Sequence, residues 1–284
     1  MTLDPHSRRR RAGKALGRER GVIMSYPGLR FGNLLYFALQ AVVRSTAQRP
    51  VLCLGNGDAG DLTAFTALAP LFLEPSRLRW TDERIHPPVH FFQHFGLDFT
   101  SDQLAHFVRK YVLTNLDVPR PSSGSSGITI NVRRGDYYAI PDFRRTYGID
   151  VQAYLQTALN RHLEIGGTAA SLRVVSDDPR WCRDHLGWLS QYAREVTYAP
   201  PKAGPLANFL EVAAAERLIL ANSTFSYWGA YASNQIHLDN HASVVVPHVH
   251  AWTTNKGRAW QHDPSWSVVE ASPVDDDRHR SAVS

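Results

Sequence analysis

ITINVRR (128–134) is an apolar, strand-like run that stops on two arginines and a glycine, and the chain beyond it repeats that rhythm. VQAYLQTALNRHL (151–163) carries apolar residues at helical spacing, and LRVVS (172–176) reads as a strand. PRWCRDHL (179–186) is a short helix with Pro179 in its first turn, where a missing N–H goes unneeded. REVTYA (194–199) is a strand, PLANFLEVAAA (205–215) a helix and RLILA (217–221) a strand. FSYWGAYAS (225–233) is a helix, and SVVVP (243–247) closes the series as a strand. Regular alternation of this kind predicts an α/β fold with a parallel sheet and right-handed crossovers. Ligands of such sheets sit at the carboxyl ends of the strands. Polar clusters at those ends are therefore the first places to look for function.

Upstream, PRPSSGSSG (119–127) combines residues that disfavour helix and strand, and reads as a linker. Before it lies a smaller domain over 21–118. There the GLRFGN loop (28–33) feeds an apolar helix, LLYFALQAVVRS (34–45), and VLCL (51–54) is a buried strand. Helical stretches are expected near 62–72 and 101–114. Residues 128–265 form the C-terminal domain, and 266–284 read as a polar tail.

The chain has 284 residues, 43% apolar and 20% charged, enough for a substantial core. The net charge of +5 owes much to HSRRRRAGKALGRER (6–20), so residues 1–20 read as a disordered basic tail. Such a run is either solvated or a weak peripheral contact with anionic lipid at the inner membrane face. The remaining body is near neutral, which argues against a nucleic-acid surface. Cys53 and Cys182 cannot build a disulfide framework and have no metal-ligand spacing; both are read as reduced thiols of a cytoplasmic protein. No metal site is expected. No apolar run reaches the ~20 residues of a membrane span.

Three constellations occupy successive strand ends. In Asn131-Val132-Arg133-Arg134-Gly135-Asp136, two guanidinium forks at a strand terminus suit a diphosphate. Strand alternation can turn either arginine toward a pocket, and the competing reading is surface arginines paired with Asp136. In Ser176-Asp177-Asp178-Pro179, one aspartate is explained as a helix N-cap. The second is free to accept the N–H groups on one edge of guanine, with magnesium as a weaker rival. In Asn222-Ser223-Thr224-Phe225-Ser226, backbone N–H groups and hydroxyls at a helix N-terminus form an anion site, or a plain cap over aromatic core residues.

NVRRGDYY (131–138), SDDPRWC (176–182) and ANSTFSYWGAYAS (221–233) together resemble the three motifs of the α-1,2-fucosyltransferases of glycosyltransferase family 11. GNLLYFA (32–38) echoes that family's amino-terminal glycine motif. The sequence departs from the pattern at Asn131, where histidine is usual, at Asn208, where aspartate is usual, and at Leu34, where glutamine is usual. The resemblance implies a GT-B-like fold of two Rossmann-like domains with parallel sheets, the N-terminal one acceptor-side and the C-terminal one holding GDP-fucose. It implies inverting, metal-independent transfer of fucose to a glycan acceptor, a galactoside in α-1,2 linkage, with no cofactor beyond the donor substrate.

Carried over residue by residue, Arg133 and Arg134 hold the pyrophosphate, Asp178 with Asp177 reads guanine, and Ser223, Thr224 and Ser226 contact phosphate or sugar. Asn131 and Asn222 complete the expected donor-binding set. Arg134, Arg133 and Asp136 form the expected catalytic group, Asp136 being either the base or an orienting partner of an arginine. Two other readings stay open: a related transferase using another GDP-sugar, and a nucleotide-sugar-binding protein without transferase activity.

Overall fold

A computed structural model describes residues 20–55, 62, 64–119, 127–202, 204–238 and 240–274. The basic run up to residue 19, the linker over 120–126 and the chain after 274 lie outside the described residues. The chain divides into two compact units, Met1–Leu116 and Asp117–Ser284.

The first unit has a parallel sheet in the order β3-β2-β1-β4. Its strands are β1 (Gly21–Ile23), β2 (Val51–Leu54), β3 (Phe72–Leu73) and β4 (Glu83–Ile85). Between β1 and β2 runs α1 (Phe31–Arg44), which buries Leu34, Leu35, Phe37 and Ala38 completely or nearly so. The helix expected over 62–72 is instead a 3-10 segment, Thr66–Leu71, that passes into β3. Pro70 lies within it and offers no N–H for a continuing α-helix. The helix expected at 101–114 is α2 (Ser101–Phe107) extended by a π-helical turn, Val108–Val112. A capping box between Thr100 and Gln103 starts it.

The second unit has six parallel strands in the order β10-β9-β8-β5-β6-β7. These are β5 (Ile128–Val132), β6 (Ser171–Ser176), β7 (Glu195–Tyr198), β8 (Leu218–Ile219), β9 (Val244–Pro247) and β10 (Ser267–Val269). The expected α/β class is what the structure has, with a parallel sheet in each unit. Two short helices, α3 (Gly135–Ala139) and α4 (Pro141–Tyr147), precede the crossover helix α5 (Val151–Gly166). Then come α6 (Pro179–His185), α7 (Gly204–Ala214) and α8 (Thr224–His237). Ile130, Leu155, Leu159, Leu172, Val174, Ile219 and Val245 are at the heart of the core. Helices α7 and α8 approach closely because Gly229 has no side chain; a methyl group there would overlap Val212.

The chain builds β5, β6 and β7 outward in one direction, then returns to the other side of β5 for β8, β9 and β10. The reversal falls between β5 and β8. In a parallel sheet this is where the loops leaving adjacent strands diverge and open a crevice. Two of the three polar constellations, at 131–136 and 222–226, leave the two strands that flank it.

Two terminal expectations are corrected. Residues 266–274 are not a tail: Trp266 is buried and donates its indole N–H to Asn234 Oδ1 at 2.8 Å, and β10 pairs with β9. Its three residues alternate too briefly to stand out among polar neighbours. At the other end, Arg20 belongs to the fold. Its guanidinium grips Asp82 at 3.0 and 2.6 Å.

Asp82 is buried, with 3% of its side chain exposed, and the Arg79 N–H also donates to it at 2.7 Å. Burial acts to raise its pKa, but Arg20 and that N–H more than offset it, leaving the pKa below its usual value. Arg20→Ala should therefore cost about 1–3 kcal/mol at pH 7, read as a lower Tm. A depressed folded pKa contributes stability above the unfolded value of about 3.9 and loses it as pH falls through the folded one. The gap between variant and wild type should accordingly close in acid. Equal melting temperatures at pH 7 would contradict this role for Arg20.

Candidate functional site

β5 ends at Val132, two residues before the alternating sequence pattern stops. At Arg134 the backbone (φ -126°, ψ -76°) turns into α3. Both arginines thus leave the strand, and strand alternation no longer sends them to opposite faces. They take different surroundings. Arg133 donates to Asp136 Oδ1 at 2.5 Å, pairs with Asp177 Oδ2 at 2.8 Å and lies 5.2 Å over the Tyr137 ring. Burial works against its charge, but Asp177 and Asp136 outweigh that and raise its pKa. The Arg134 guanidinium lies 3.8 Å over Tyr138 and 3.9 Å over Trp181. It has no ion-pair partner among the described residues, and burial lowers its pKa from a high starting value, leaving it charged.

Asp177 joins the two ends. One oxygen accepts the Arg134 backbone N–H at 2.7 Å while the other faces Arg133. Desolvation raises its pKa, with Arg133 opposing. Gly135 makes room for it: any β-carbon there would run into the Asp177 carboxylate. Asp177 therefore organises the turn. Asp178 is the N-cap of α6, accepting the Trp181 N–H at 3.0 Å through Oδ1. Its second oxygen has no partner among the described residues. Nearby on α7, Asn208 donates weakly to Ser176 O at 3.5 Å, and its amide oxygen is buried without a hydrogen bond.

Three of the expected ligand groups face inward, Asn131 on β5 and Asn222 and Ser226 beyond β8. Asn222 donates to the carbonyls of Tyr147 and His250 at 2.8 and 3.1 Å. Ser226 is fully buried and donates to Asn131 Oδ1 at 2.5 Å, while the Asn131 amide donates to Val175 O at 3.1 Å. Asn131 thereby bolts β5 to both β6 and α8. These three side chains are committed to the scaffold, a role that their polar character in a motif concealed. Ser223 is the N-cap of α8 but makes no side-chain cap bond, and Thr224 opens the helix partly exposed. The Ser223 side chain instead meets Tyr137, whose phenol burial pushes far above its ordinary range and keeps neutral. Tyr137 stacks on Tyr147 with ring centroids 4.5 Å apart.

The structure thus brings Arg133, Arg134, Asp136, Asp177 and Asp178 together at the ends of β5 and β6. Tyr137 links this group to Ser223 and the first turn of α8. Asp136, expected as base or orienting group, has its carboxylate on Arg133. Tyr137, Tyr138 and Trp181 escaped the sequence reading; their places at the ends of two expected motifs were the available signal. Desolvation lowers the pKa of His250 to about 4, so the half-buried ring is neutral. Among the described residues no cluster of three or more His, Cys, Asp or Glu is arranged to hold a metal ion. No helix among them is long and apolar enough to cross a membrane.

A parallel-sheet unit with an arginine-rich switch point matches what sequence comparison finds. The model of the family described as Glycosyl transferase family 11 matches residues 87–244, more than half of the chain, and the chain belongs to that family. An Escherichia coli alpha-1,2-colitosyltransferase is 26% identical over 110 residues, covering 39% of this chain and 37% of that protein. The Escherichia coli O-antigen biosynthesis glycosyltransferase WbnK is 24% identical over 138 residues, covering 49% of this chain and 43% of that protein. The matched stretches thus span about two fifths of either relative's length. Among solved structures, the iron-containing dodecameric glycosyltransferase TibC from enterotoxigenic E. coli H10407 is 14% identical. It superposes with a TM-score of 0.46 over 88% of this chain and 62% of that one.

Ser226→Ala separates a scaffold role from a ligand role. It leaves the Asn131 oxygen buried and unpaired, which should cost about 1–3 kcal/mol of stability. Tm should fall while nucleotide affinity stays near that of the wild type. Weakened nucleotide binding at an unchanged Tm would return Ser226 to the ligand set.

Proposed function

We propose that this protein is an inverting glycosyltransferase that moves fucose from GDP-fucose to a hydroxyl of a glycan acceptor, a galactoside in α-1,2 linkage. The observation that carries the reading is the guanidinium of Arg134, which leaves the carboxyl end of β5, a strand flanking the switch point, held by two aromatic rings and without an ion-pair partner among the described residues. Family membership and the alpha-1,2 linkage in one relative's name support it.

In this reading the donor diphosphate lies between Arg134 and the first turn of α8. Ser223 and Thr224 reach it there, and the free N–H groups and helix dipole favour an anion. As the glycosidic bond breaks, charge grows on the leaving diphosphate, and donors already in place stabilise it. Arginine and helix dipole supply that charge without a metal ion. Asp178, with one oxygen unclaimed, reads the N–H edge of guanine. Arg133 contributes through its network with Asp177 and Asp136. Asp136 acts as an orienting group, because its carboxylate is committed to Arg133.

The first relative's name favours a second reading, the same linkage made with another sugar. Purified protein in excess EDTA, given GDP-fucose or GDP-mannose and a galactoside-terminated acceptor, separates the possibilities. GDP release with an α-1,2-fucosylated product is expected. Binding of GDP without turnover of any donor would show a nucleotide-sugar-binding protein. Activity restored only by added magnesium or manganese would refute metal independence. Equal affinity for GDP and ADP would refute guanine reading by Asp178.

Arg134→Ala should lower kcat by roughly 10²-fold or more, the usual effect of deleting a preorganised charge-stabilising donor. Arg134→Lys should recover only part, since an ammonium keeps the charge but not the planar fork. Arg133→Ala should have a smaller effect. Wild-type kcat in both alanine variants, with folding verified by circular dichroism, would sink the reading.

A further inference from the structure

Among the described residues no carboxylate pairs with Arg134, although Asp178 acts on it from nearby, and its surroundings are not loose. Its guanidinium carbon lies 3.8 Å from the Tyr138 ring centroid and 3.9 Å from that of Trp181. Each ring is itself fixed. The Tyr138 hydroxyl donates to Ile149 O at 2.6 Å and accepts the Ile149 N–H at 3.1 Å, so the ring is pinned at its far end. Trp181 is fixed at its backbone by the Asp178 cap, and its indole stacks on His185 with centroids 4.6 Å apart and planes 12° from parallel. Both rings also pack against the hydrophobic core of the second unit.

The two modes of holding an arginine have different consequences. A carboxylate fixes a guanidinium by hydrogen bonds and neutralises it; an incoming anion must then compete with that carboxylate. An aromatic face attracts the cation through the ring quadrupole and occupies the flat side of the fork. The charge stays, and the N–H edge stays open to an acceptor. Arg133 is held the first way, Arg134 the second.

We infer that Tyr138 and Trp181 are positioning residues that clamp Arg134 and present its N–H edge to the donor diphosphate. This rests on the proposed role of Arg134. Trp181 lies next but one after Pro179 in the turn that also carries Asp178. One short segment therefore sets both the clamp and the carboxylate assigned to the base. The rings touch no substrate in this scheme; they act through the arginine.

A double-mutant cycle tests this, with GDP as the titrant on the full chain. Trp181→Leu and Tyr138→Leu should each weaken GDP binding about twofold to thirtyfold, the range spanned by cation–π contacts. Trp181→Phe and Tyr138→Phe keep an aromatic face and should recover most of the affinity. In an Arg134→Ala background the leucine changes should have no further effect. The same fold-loss in both backgrounds would show that the rings serve only the fold, overturning the inference while the donor-site reading stands. Wild-type affinity in both leucine variants would overturn it as well. Should neither leucine variant fold, Arg134→Lys decides, since an ammonium lacks the flat face that stacks. At least fivefold weaker GDP binding is expected, and wild-type affinity would overturn the clamp. If wild-type protein fails to bind GDP, or Arg134→Ala binds it normally, the donor-site reading itself falls and takes the clamp with it.

Discussion

The Asp177 carboxylate ties the end of β6 to the end of β5, one oxygen on the Arg134 N–H and the other on the Arg133 guanidinium. Everything else at the site is arranged around that bridge. Gly135 has to lack a side chain so that the carboxylate fits against the turn. The backbone has to leave the strand at Arg134 so that its N–H points back toward β6. Asp177 is desolvated, which raises its pKa, and Arg133 opposes that shift. Arg133 is in turn kept charged by Asp177 and Asp136. Each group makes the burial of the next tolerable, which is the condition under which partly buried charges survive.

A second tie works across the switch point. Asn131 accepts from Ser226 and donates to Val175 O, so α8 is bolted to β5 at the level where that strand stops. Asn222 fastens the turn before α8 to Tyr147 and His250. With these amides and hydroxyls turned inward, the N-terminal turn of α8 is placed as a rigid body beside the β5 turn. Ser223, free of capping duty, is left to Tyr137. A site assembled from loops on two adjacent strands gains its precision from such interior bonds, not from the loops themselves.

Most of the alternation of strands and helices from 128 to 247 was legible because its apolar runs are long enough to show; even the two-residue β8 lies within the apolar run RLILA, whereas the short helices α3 and α4 were not read. Short strands without such a run were not legible: β1, β3, β4 and β10 derive from tertiary pairing more than from pattern. The positions of the three motifs at strand ends were legible too, and the structure puts them where a parallel sheet binds ligands. The division of labour inside the motifs was not. Asn131, Asn222 and Ser226 have the chemistry of ligand groups, but the same amides and hydroxyls satisfy buried backbone. Only burial separates the two uses. Likewise Tyr138 and Trp181 give no sign in the sequence of their contact with Arg134, which for Trp181 joins segments over forty residues apart.

Charge counting alone would not place an anion here. Asp136, Asp177 and Asp178 outnumber Arg133 and Arg134 at the ends of β5 and β6, so the local sum is negative. In the proposed donor site, attraction for a diphosphate has to come from direction. Asp136 and Asp177 both aim their oxygens at Arg133, and a paired charge acts outward only as a weak dipole. Arg134 is flanked by rings that carry no net charge; Asp178 acts on it but forms no ion pair with it, so its charge is less fully compensated than that of Arg133 in a partly desolvated setting, where Coulomb forces are stronger than in water. In that proposal the positive end of α8 adds to it. Two adjacent arginines thus behave differently: one stabilises the carboxylates that shape the turn, and by engaging them leaves the other without an ion pair among the described residues, as the proposed donor site requires.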